Sequence, residues 1–110
     1  MPLSKRARIE IYLPGANNAA NKRLQSAFEQ EFIGTFGGCT VIGDIKGLYS
    51  ASNNKVAADK INLVYADTPF DFDKNVKALS QYADQLKEAA LAASEEESIL
   101  VVVHEIYHSI

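Results

Sequence analysis

The residues that most readily suggest chemistry are His104-Glu105-Ile106-Tyr107-His108. A His-Glu-x-x-His string on a helix places two imidazoles on one face, where they share a zinc ion and the Glu acts as base. Here the string follows Leu100-Val101-Val102-Val103, a β-branched run that favours a strand. At about 3.3 Å per residue, two side chains four apart on a strand stand roughly 13 Å apart. Zinc–nitrogen bonds are ~2.1 Å, so one ion does not reach both. The string also sits two residues from the end of the sequence, with no third ligand after it. We expect no metal site. His104 is read as partly buried on a sheet face, and His108 as a fraying terminal residue.

A second candidate is Cys39 in Phe36-Gly37-Gly38-Cys39-Thr40. A reactive thiol needs a depressed pKa from a base or a helix N-terminus. Cys39 follows a helical stretch instead, and the negative end of a helix dipole disfavours the thiolate. We expect a small core residue at a strand start. The carboxylates Asp67, Asp71 and Asp73 cluster at one turn, without the spacing of a calcium loop. Asp71 or Asp73 is better used as a helix cap. Asp44, Lys46 and Tyr49 lie on a glycine-punctuated stretch and could line a pocket at the helix–sheet edge, or be a solvated strand.

The elements that position these residues follow from periodicity. Residues 6–13 alternate, with Ile9, Ile11 and Leu13 on one side and Arg8, Glu10 and Tyr12 on the other, as in a half-buried strand. Pro14-Gly15 ends it. Asn17 or Asn18 caps a helix over residues 19–34, whose Leu24, Phe28 and Phe32 recur four apart. Gly37-Gly38 terminates it. Residues 40–50 read as a strand bent or bulged at Gly43 and Gly47. A turn at Ser52-Asn53-Asn54-Lys55 joins it to a strand over 59–66, with Ile61, Leu63 and Tyr65 on one face and Asn62 and Val64 on the other. Val76, Leu79, Ala83, Leu86 and Ala90 predict a second helix ending near Ala93, followed by the acidic run Glu95-Glu96-Glu97. Residues 98–107 form the last strand.

The order β, α, β, β, α, β predicts an α+β fold, a two-layer ferredoxin-like sandwich. Its antiparallel four-stranded sheet has two helices on one face. The other face is then bare. It is expected to carry Arg8, Glu10, Tyr12, Asn62 and Val64, plus one set from the last strand. That set is Leu100 with Val102, or Ile99 with Val101 and Val103. A strand apolar on both sides wants cover on both sides. A homodimer packed through the sheet face or the last strand would provide it.

The bulk properties agree with one ordinary domain over residues 1–110. The sequence is 47% hydrophobic and 23% charged, with a formal net charge of −3. Phosphate backbones and anionic membranes are bound largely through Lys and Arg, so neither is expected as the partner. Ile11-Tyr12-Leu13 has an aromatic where RNA-recognition domains carry one on their first strand. The third strand, however, lacks the arginines and glycines of the matching motif. One cysteine makes no internal disulfide, and the first residues contain no apolar leader, so the expected location is cytoplasmic.

The turn Phe36-Gly37-Gly38-Cys39-Thr40, the segment Gly47-Leu48-Tyr49 and the strand at 59–66 together resemble a group of small uncharacterised bacterial proteins with a ferredoxin-like shape. The resemblance spans about a third of the chain. It implies the fold, and it carries over no catalytic residues.

The leading expectation is a homo-oligomeric ligand-binding, regulatory or interaction module, without a cofactor, whose small-molecule ligand sits at the sheet face or the subunit seam. The alternative is a small dimeric α+β-barrel-type enzyme using His104 with Tyr12 or Glu10, since histidine is the side-chain type most used for proton transfer and His104 lies beside an apolar strand.

Overall fold

The computed structural model describes residues 4–96 and 98–108, with Ser4 and His108 placed by backbone only. The elements are β1 (Ser4–Pro14), α1 (Ala19–Phe36), β2 (Thr40–Ser50), β3 (Val56–Asp67), α2 (Val76–Ala92) and β4 (Leu100–His108). A short 3-10 turn, Asp73–Asn75, leads into α2. The strands form one antiparallel sheet in the order β2-β3-β1-β4. Glu97, the last residue of the acidic run, and residues 1–3 lie outside the described residues.

Local chemistry sets the helix ends. Asn18, not Asn17, caps α1: its Oδ1 accepts from the Asn21 backbone N–H at 2.8 Å. At the other end Gly37 turns left-handed, φ 88°, and its N–H donates to the Ile33 carbonyl. A Cβ there would strain the backbone. Asp71 does cap, but not α2 itself. Its Oδ1 accepts from Lys74 N–H at 3.0 Å, so it serves the 3-10 turn. α2 begins after Asn75 with no side-chain cap, and Asp73 instead pairs with Lys5.

The core lies between the helices and one face of the sheet. Ile9, Ile11 and Leu13 are buried against Leu24, Phe28 and Phe32 of α1 and Leu79, Leu86 and Ala90 of α2. Burying one such large side chain contributes about 1.5–3 kcal/mol. On β1 the faces follow the expected alternation.

On β3 they do not. Val64 pairs with Ile11 and is fully buried, and Asn62 pairs with Leu13 and donates through Nδ2 to Gln25 Oε1 on α1 at 2.7 Å. Asn62 and Val64 therefore face the helices, and Ile61, Leu63 and Tyr65 take the open face. A polar residue beside the helices runs against the alternation rule, and the Gln25 amide is what satisfies it. On β4, Leu100, Val102 and His104 pair with Tyr12, Glu10 and Arg8 on the open side, leaving Val101 and Val103 beneath the helices.

The β2–β3 pairing shifts register between Ile42 and Ile45. Asp44 adopts φ 59° in this bulge and donates its N–H to Asn62 Oδ1. Gly47 lies in regular pairing with Asp59. A Cβ at Gly47 would stand 2.7 Å from the Ile61 Cδ1 methyl, so that side chain would have to shift. Asp44, Lys46 and Tyr49 are thus spread along the strand, with Tyr49 exposed on the outer ribbon.

Candidate functional site

The open face carries a polar strip inside an apolar surround. At one end Arg8 grips Asp67, with Nε at 2.5 Å and Nη2 at 3.0 Å from the two carboxylate oxygens. The guanidinium also lies over the Tyr65 ring, 4.3 Å from its centroid. Two-point pairing and stacking together fix a side chain that would otherwise rotate freely. The hydrogen bond to Asp67 raises the Arg8 pKa, with burial opposing it.

Beside Arg8 stands Glu10, its side chain only 15% exposed although no helix covers this face. Tyr12 donates its hydroxyl to Glu10 Oε1 across a long 3.5 Å. His104 Nε2 lies 3.3 Å from Glu10 Oε2. Nε2 is shielded from water and makes no hydrogen bond among the described residues. Burial, and then the Glu10 charge, raises the Tyr12 hydroxyl pKa.

All three candidate residues, His104, Glu10 and Tyr12, are thus brought together. They meet on the open face and not in a cleft between sheet and helices. Around them are Leu63, flanked in register by Tyr12 and Ile42, and Leu100, which is 58% exposed. Tyr65 and Asp67 belong to this surface as well, although sequence reasoning gave neither of them a place on it. Asp67 reads as a strand breaker in an acidic turn, and only its register opposite Arg8 gives it a partner.

A cleft of about 560 Å³ opens at one end of the sheet. Tyr12, Lys60, Ile61 and Leu100 line it from the sheet, and Asn21 lines it from α1. The Gly15 N–H donates to the Lys60 carbonyl at 2.9 Å, and Asn21 Nδ2 donates to the Gly15 carbonyl at 3.1 Å, so the wall is held by hydrogen bonds. Lys60 stands in this lining beside Asp59 and Glu96, so the cleft carries side-chain charge of both signs.

The other candidates stay apart from this site. Cys39 is part-buried against the core, 3.9 Å from the Glu29 carbonyl. Burial and the Glu29 charge push its thiol pKa up, opposite to what a nucleophile needs. His104 and His108 stand on one strand, opposite Arg8 and Ser4, so the helical geometry of the zinc string is not formed. The His108 side chain lies outside the described residues. Among the described residues no three His, Cys, Asp or Glu converge as metal ligands. None of their helices is long and apolar enough to cross a membrane.

No protein-family model matches the chain, and no curated protein matches it. Solved structures do. The chain is similar to CPII, a nitrogen regulatory PII-like protein from Thiomonas intermedia K12 bound to ADP, AMP and bicarbonate. The TM-score is 0.53 at 21% identity, over 99% of this chain and 100% of that one. It is also similar to CutA1 from Oryza sativa, with TM-score 0.54 and 20% identity over 94% of this chain and 84% of that one. The divalent cation tolerance protein CutA1 from Thermus thermophilus gives 0.57 and 14% over the same shares. The fold is ferredoxin-like. The likeness is structural rather than sequential, and at such identities it establishes shape alone.

Proposed function

We propose that the chain is a single-domain, homo-oligomeric ligand-binding module with a regulatory role, assembled through the open sheet face. One observation carries this reading. The cleft at the end of the sheet shares Tyr12, Ile61 and Leu100 with the open face. A second copy packed on that face would cover an exposed apolar surface and, in the same step, wall off the cleft. Ligand binding and assembly are then coupled through the same side chains. The setting is cytoplasmic, and the partners are further copies and a small molecule rather than nucleic acid or membrane.

The similar Thiomonas protein is bound to ADP, AMP and bicarbonate, which makes these the first ligands to try. Light scattering after size exclusion at micromolar concentration tests the assembly. The expected mass is a multiple of 12.0 kDa. A clean monomer mass sinks the reading. Calorimetric titration with ADP and AMP, with and without bicarbonate, tests the ligand class.

A second reading is favoured by the contact series His104–Glu10–Tyr12. In it the protein is a small α+β-barrel-type enzyme whose His104 exchanges protons on the open face. A folded His104→Ala variant that binds the same ligands equally well counts against it.

A further inference from the structure

On the helical side of the molecule, away from the open face, the C-terminal end of α1 and the start of α2 leave a small pocket of about 220 Å³. Its walls are aromatic. Phe36 stands nearly perpendicular to Phe70, 6.4 Å between centroids at 78°, and to Tyr82, 5.7 Å at 89°. Leu79 forms the buried floor, and the exposed Ala78 sits at the mouth. Thr35 and Asn75 complete the lining, which is almost wholly apolar.

The walls are set before any ligand arrives. Phe70 lies on a connection pinned to β1. Its carbonyl accepts from Ala7 N–H at 3.0 Å, and Thr68 N–H donates to the Ala7 carbonyl at 2.9 Å. The Phe70 N–H donates to Thr68 Oγ1 at 3.2 Å, and Asn75 Nδ2 donates to the Asp71 carbonyl at 2.8 Å. Phe36 packs on Phe32 at 6.0 Å, directly before the Gly37 cap. Tyr82 donates its hydroxyl to Glu31 Oε1 at 3.2 Å, across the gap between the helices. Phe70 nevertheless stays 45% exposed. Preset walls remove most of the ordering cost of binding.

Size and lining decide the ligand class. Drug-sized ligands need about 300–1,000 Å³. An apolar cavity of ~150 Å³ holds benzene. We propose that this pocket binds a single aromatic ring, of the size of benzene or indole. Its edges and face meet the three rings in the tilted and perpendicular arrangements that aromatic pairs prefer. The site lies on the opposite side of the sheet from the proposed assembly face, so it stays open in the oligomer and does not rest on that proposal.

The experiment is an NMR titration of the full-length chain with indole, reading methyl and aromatic carbons. Saturable shifts confined to Phe36, Phe70, Leu79 and Tyr82 are expected. Ala78→Phe, which fills the pocket from the exposed side of α2, should abolish them while leaving distant signals in place. If that variant does not fold, Phe70→Ala, which alters a half-exposed position, should weaken saturation. No saturable shift in the wild type overturns the proposal, as does unchanged saturation in the folded variant. Cyclohexanol binding as tightly as indole would also overturn it, because the site would then select apolarity and not an aromatic ring.

Discussion

His104 Nε2 stands 3.3 Å from Glu10 Oε2, diagonally across the β1–β4 pair. The imidazole is 41% exposed and the carboxylate 15% exposed, so the contact is half screened by water. Pairs of this exposure couple by at most about 1 kcal/mol. A double-mutant cycle with His104→Ala and Glu10→Gln, read by urea denaturation of dilute protein, should return a coupling no larger than that. A coupling that grows with protein concentration would show the pair becoming buried on assembly.

Leu100 is 58% exposed on the open face and also lines the end cleft. Leu100→Glu would place a charge where the proposed second copy packs. Light scattering should then report the monomer mass, and circular dichroism should report an unchanged fold. A variant that keeps the wild-type mass would place the interface elsewhere.

Tyr82 gives the protein a signature in alkali. Burial is the main cause that pushes its pKa from 10.0 up to about 12, with the Glu31 charge adding to it and a hydrogen bond with Thr35 opposing. The unfolded chain therefore releases this proton first. The stability tied to neutral Tyr82 is fully present below pH 10 and is lost as pH rises towards about 12. Urea midpoints measured across that window should fall less steeply for Tyr82→Phe than for the wild type. Parallel curves would mean that Tyr82 is not protected.

Phe32 and Phe70 are both aromatic, but Phe32 is fully buried and Phe70 is 45% exposed. Phe32→Ala should cost about 3–5 kcal/mol, through lost burial and the cavity left behind. Phe70→Ala should cost much less, because much of its ring is already in water. Equal losses in equilibrium denaturation would contradict the assigned core.

Cys39 should label slowly. Its thiol pKa is raised by burial and by Glu29, which lowers the thiolate fraction at neutral pH. Iodoacetamide should react more slowly with native protein than with urea-unfolded protein at the same pH. Faster native labelling would reopen a nucleophilic role.

Much of this molecule was legible in the chain itself. Alternation at Ile9, Ile11 and Leu13, four-residue spacing at Leu24, Phe28 and Phe32, and turn residues such as Gly37 set the elements, their order and the buried face of β1, because these signals act over a few residues. The face of β3 was not legible in that way. Ile61, Leu63, Val64 and Tyr65 are all apolar, so only pairing with β1 decides which of them meets the helices, and a one-residue slip exchanges the two faces. β4 is apolar on both sides, and its inward face is decided by pairing for the same reason. The meeting of His104 with Glu10, of Arg8 with Asp67, and of Phe36 with Phe70 and Tyr82 joins residues far apart in the sequence. Register and helix placement create those contacts, and no local pattern encodes them.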